Sequence, residues 1–97
     1  MYFVIYAICV FQIKLDACNS LKEKRSCIKS LMKKIRNRFN VSISEIDKQH
    51  IWNESVIACS LVSNDKRSSE SHLAKLIKFV ENNADHFYLM DHTIQFL

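Results

Sequence analysis

From residue 2 to residue 13 nearly every position is apolar, and the run is rich in Val, Ile, Phe and Tyr. Such a run predicts a buried strand, because β-branched and aromatic side chains fit a pleated surface covered by other chain. Lys14 and Asp16 end it. Leu21, Ile28, Leu31, Ile35 and Phe39 then recur at helical spacing, while Lys22, Arg25, Lys29, Lys33 and Arg36 follow a neighbouring ridge. Ser20 and Glu23 form an S-x-x-E capping box, in which each side chain satisfies a backbone donor, so a first helix starts there.

Val41 and Ile43 alternate with Ser42 and Ser44, which predicts a second strand ending near Asp47. Residues 48–53 are polar apart from Ile51 and Trp52, and they lead to a third apolar strand over residues 55–62. Ser63, Asn64 and Asp65 offer turn and N-cap chemistry to a second helix built on Leu73, Leu76, Ile77 and Val80, with Ser68, Ser69 and Ser71 near its start. Asn82 or Asn83 is the expected left-handed cap of that helix, and residues 87–96 supply a last strand. The order is βαββαβ, an α+β ferredoxin-like sandwich with a four-stranded antiparallel sheet and both helices on one face. Residues 1–97 read as one such domain, with no linker, repeat or low-complexity tract.

The first strand is apolar on both sides. Phe3, Ile5, Ala7, Cys9, Phe11 and Ile13 share one face, and Tyr2, Val4, Tyr6, Ile8 and Val10 the other. Only one face lies under the helices, so the surplus implies a second covering surface. Self-association is the expectation, a homodimer with Tyr2, Val4, Tyr6 and Ile8 in its interface. Aromatics on such a face also stack bases in RNA-recognition modules of this topology, but neither apolar run carries the basic, glycine-rich signature of those modules.

Composition narrows the chemistry. The 97 residues contain neither Gly nor Pro, which disfavours Walker A loops, dinucleotide fingerprints and nucleophile elbows, all of which need glycine at a close backbone approach. Turns must use Asn, Asp and Ser instead. The opening apolar run has no basic leader and is too short to span a bilayer as a helix, so the expectation is a cytoplasmic protein with no membrane partner. Cys9, Cys18, Cys27 and Cys59 include no C-x-x-C pair. They read as reduced core thiols, and with His50, His72, His86 and His92 they give no finger-like spacing, so neither metal nor cofactor is expected.

Charge is concentrated. Residues 20–40 hold eight of the fourteen Lys and Arg beside one of the ten acids, a net +7, leaving six bases against nine acids, or −3, elsewhere. That is the electrostatic footprint of a surface that meets phosphates or an acidic partner. Lys22, Lys24, Arg25 and Lys29 stand in the first turns of the helix, against its dipole, where cations and free backbone donors together suit a phosphate. With Lys33 and Arg36 they are the candidate nucleic-acid-binding residues, and Trp52 is a candidate stacking platform or a packed loop anchor. The competing account is a solvated face, or Arg25 paired with Glu45 or Asp47. Glu45, Asp47 and His50 cluster at a strand end, but no nucleophile, base or metal set accompanies them, so no enzyme is expected.

Ser20-Leu21-Lys22-Glu23-Lys24-Arg25, Arg36-Asn37-Arg38-Phe39-Asn40-Val41-Ser42, Glu45-Ile46-Asp47 with Gln49 and Trp52, and Val62-Ser63-Asn64-Asp65 resemble the YlxP-like family of small bacterial proteins of unknown function. The resemblance covers nearly the whole chain and implies a ferredoxin-like fold. Members are often encoded beside translation and ribosome-maturation factors, which suggests an RNA or ribosome partner. The chain departs from the family at Asp16, Ala17 and Cys18, where relatives place Pro and Gly, and at Ala7, where Gly is common. The alternative expectation is a dimeric structural or protein-interaction module with no nucleic-acid role.

Overall fold

The computed structural model describes residues 2–83 and 87–97. Its elements are β1 (Ile5–Lys14), α1 (Leu21–Arg38), β2 (Ser42–Asp47), β3 (Glu54–Ser63), α2 (Lys66–Asn82) and β4 (Tyr88–Phe96). The four strands form one antiparallel sheet in the order β2-β3-β1-β4. This is the ferredoxin-like arrangement expected from the order of elements.

Alternation along the two central strands sets the core. Ala7, Cys9, Phe11 and Ile13 of β1 and Ser55, Ile57, Cys59 and Leu61 of β3 are buried on the helix side. Onto them pack Ile28, Leu31 and Ile35 from α1 and Leu73, Leu76 and Val80 from α2. Strand β1 begins at Ile5, three residues later than the apolar run suggests, because its partners give out: Ile5 faces Ser63, the last residue of β3, and β4 reaches only Ala7. Phe3, expected on the core face, is 71% exposed.

The helix starts follow local chemistry. Ser20 Oγ accepts from Glu23 N–H at 3.1 Å, and Glu23 Oε2 accepts from Asn19 N–H at 2.9 Å, one residue before the usual capping-box donor. Asp65 caps α2 by accepting from Ser68 N–H. The left-handed cap expected at Asn82 or Asn83 does not form. Asn83 has φ −106°, and its side-chain amide donates to the Phe79 carbonyl at 2.8 Å, filling an acceptor that a left-handed turn would otherwise serve. Lys48, just after β2, has a φ of 60°, which costs a non-glycine residue on the order of 1–2 kcal/mol.

Candidate functional site

The basic helix separates into three sets of cations. Lys22, Arg25, Lys29, Lys33 and Arg36 are spaced by three or four residues, so they stack along one flank of α1, and all five are exposed. At 1.5 Å per residue the row is about 21 Å long. Arg36 Nη2 lies 3.5 Å from the Ile43 carbonyl, which places this flank on the side of β2, an outer strand. Among the described residues none of the five has an ion pair. Lys34 and Arg38 fall on the opposite flank by helical phase.

Lys24 belongs to neither flank. The sequence groups it with the phosphate-binding cations, but it is 0% exposed. Leu21 and Ile28 are seven residues apart, and Lys24 fills the core-facing position between them. Its ammonium contacts Glu45 Oε2 at 2.9 Å and donates to the carbonyls of Lys48 at 2.5 Å and Gln49 at 3.3 Å. Three donors thereby meet three acceptors, the condition under which a buried ammonium is tolerable. Ser55 Oγ donates to the same Glu45 oxygen at 2.6 Å.

The sheet register explains why Glu45 is there. Ile43 and Glu45 lie opposite Cys59 and Ile57, both core-facing, so Glu45 points toward α1. A bulge at Ile46 then puts Asp47 opposite Val56 on the other face. The carboxylate that the sequence offers to Arg25 is thus taken by its neighbour Lys24. The gap in the apolar stripe is the sequence signal for this.

That network ties the β2–β3 connection to the helix start. Lys48 N–H donates to Asp47 Oδ1, Lys48 Nζ pairs with Glu54 at 3.0 Å, and Leu15 N–H donates to the Asn53 carbonyl. Trp52 stands on this anchored loop half exposed, at 49%, beside exposed His50 and Ile51. Glu45 and Asp47 both spend an oxygen on structural partners.

The open face of the sheet is the second candidate surface. Tyr6, Ile8 and Val10 lie beside Val62, Ser60 and Ala58 of β3, Gln95 and Thr93 of β4, and Ser42 and Ser44 of β2. None of these carries a charge. Tyr6 is 38% exposed and Ile8 half-buried, whereas Tyr2 and Val4 precede the strand and stand largely in solvent.

All four cysteines are free, and burial pushes their thiols up; Cys9 and Cys59, directly opposed across β1 and β3, reach about 11 and about 12. Among the described residues no three His, Cys, Asp or Glu converge as a metal site, and His86 lies outside those residues. Nor is any described helix long and apolar enough to cross a membrane.

The model of a family of proteins of unknown function, DUF503, matches residues 6–94, from the start of β1 to near the end of β4. The chain belongs to this family. It is also 36% identical over 63 residues to the uncharacterized protein YlxP of Bacillus subtilis (strain 168), covering 65% of this chain and 68% of that one. The family match spans the βαββαβ unit, so α1 and the anchored loop both lie within the matched region.

Proposed function

We propose that this DUF503 protein is an RNA- or ribosome-associated binding module that contacts phosphates through Lys22, Arg25, Lys29, Lys33 and Arg36. The observation that carries the proposal is their arrangement: five exposed cations in one row along α1, none of them in an ion pair among the described residues. A solvated helix face ordinarily intersperses acids with its bases, which adds helix stability through neighbouring ion pairs. This row holds none. Such a row tracks a phosphate backbone, which is recognised without sequence preference and with strong salt dependence. Lys24 takes no part in that contact; it holds the adjoining loop, and with it Trp52, in place. The decisive experiment measures the affinity of single-stranded RNA over a range of salt for the wild type and for K22Q/R25Q/K29Q. Equal affinity and equal salt slope in the two would sink the proposal.

The part of the open face around Tyr6 and Ile8 is uncharged, its charges Asp47, Asp91, Lys14 and Glu54 lying toward the other end, and this favours a second element, a homodimer formed through Tyr6, Ile8 and their neighbours. Supporting it, Tyr6, Ile8, Val10, Ala58 and Val62 form a continuous apolar patch flanked by the hydroxyls of Ser42, Ser44, Ser60 and Thr93 and the amide of Gln95. A monomeric mass at micromolar protein would count against it.

A further inference from the structure

Between α1 and α2, on the flank away from the phosphate-contacting row, two grooves lie end to end. One, of about 600 Å³, is lined by Arg38, Phe39, Lys75, Lys78, Phe79 and Asn82. The other, of about 500 Å³, shares Arg38, Phe39 and Lys75 and adds Arg67, Ser68 and His72. Each is of the size that holds a small organic ligand. Ser68, His72, Lys75, Phe79 and Asn82 recur every three or four residues, so the grooves run along a single flank of α2.

Their chemistry is cationic and aromatic at once. Arg38, Arg67, Lys75 and Lys78 bring four positive charges, and the acid at the margin, Asp65, is engaged as the cap of α2. Phe39 meets Phe79 edge-on at 5.5 Å and His72 at 5.6 Å, while the Arg38 guanidinium lies over the Phe79 ring at 5.3 Å. An arginine held over a ring in this way can offer its guanidinium to a base, and nearby lysines suit a phosphate. A further observation marks the same place. His72 Nε2 is closed to solvent and lacks a hydrogen-bond partner, alone in this among the side-chain polar atoms of the described residues. A buried polar atom left so costs on the order of 1–3 kcal/mol, and a ligand in the groove reaches it once the His72 ring turns outward.

We propose that this groove binds a nucleotide unit, the phosphate held by Lys75, Lys78 and Arg67 and the base laid on Arg38 above Phe79. The unit is either a free nucleotide or one residue of a single strand, since both present the same phosphate and planar ring. The site is distinct from the row on α1 and does not depend on it.

The test is a titration of the isotope-labelled protein with adenosine monophosphate, with a single-stranded oligoadenylate and with inorganic polyphosphate, followed through the amides of Arg38, Phe39, His72, Lys75 and Phe79. Saturable shifts at those amides with either adenine probe, at an affinity at least fivefold above that for polyphosphate, are expected. Shifts with the monophosphate identify a free nucleotide as sufficient; shifts with the oligomer alone identify a strand as the source. The exposed double change K75Q/K78Q should weaken the adenine probe about tenfold, within what removal of two phosphate-facing charges produces, while K22Q/R25Q/K29Q leaves the groove shifts of the monophosphate intact. Polyphosphate binding as tightly as the adenine probes, or no shift on this flank with any probe, overturns the proposal and leaves the row on α1 to its own test.

Discussion

The ammonium of Lys24 and the carboxylate of Glu45 meet at 2.9 Å beneath α1, with the lysine wholly removed from solvent. Removing one partner strands the other charge, which costs about 3–5 kcal/mol for a buried pair. K24M should therefore lower the urea unfolding free energy by about that amount. In K24M/E45Q the loss should be smaller, because the amide oxygen still accepts from Ser55 and no charge is left behind. A K24M protein as stable as the wild type would refute the account of the network.

The row on α1 gives a prediction of opposite sign for stability. Lys22 lies in the first turn, where a cation opposes the helix dipole, so K22Q/R25Q/K29Q should be slightly more stable, by about 0.3–1 kcal/mol in all. The same variant should bind single-stranded RNA more weakly and flatten the plot of log affinity against log salt by about 0.7 for each phosphate no longer neutralised. Thermal unfolding and fluorescence anisotropy measure the two effects separately.

The thiol pair in the core sets an alkaline limit. Cys9 is pushed up to about 11 and Cys59 to about 12, from an ordinary 9.0, chiefly by desolvation, with Cys9 also acting on Cys59. In the unfolded chain both ionise near the ordinary value, so above it the native state holds more protons and loses stability as pH rises. Stability should be unaffected by these thiols below about pH 9 and fall toward pH 11 at about 1.4 kcal/mol per pH unit for each. Urea denaturation of C9A/C59A beside the wild type isolates the effect, and parallel pH profiles would contradict it.

For the open sheet face, I8E places a carboxylate in the middle of the uncharged patch. If the homodimer forms there, the variant should be a monomer by sedimentation while keeping the wild-type circular dichroism. An unchanged dimer would move the interface elsewhere.

What can be read from the chain alone is what neighbouring residues decide. Ser20 with Glu23, and Asp65 before α2, act over three or four residues, so the helix starts are legible. The two apolar faces of β1 are legible as well, and the structure shows that the one carrying Ala7, Cys9, Phe11 and Ile13 enters the core. Lys24 is misplaced by sequence reasoning because its acceptor Glu45 stands 21 positions on, and only the sheet register turns that carboxylate toward the helix. Phe3 is misplaced because a strand ends where its partners end, which no property of residues 2–4 encodes. The groove is hidden for a similar reason: Arg38 and Phe79 are 41 positions apart and meet only when the helices pack.

The Lys48 carbonyl is gripped from two directions, by Lys24 Nζ and by Ile51 N–H. The buried ammonium fixes that carbonyl in place, so the turn closed by Ile51 N–H is held to the protein interior at its acceptor. The polar connection between β2 and β3 is thereby tied to both α1 and β2. A partner that touches Trp52 meets a surface whose ordering was completed during folding, and it binds without having to still a loop.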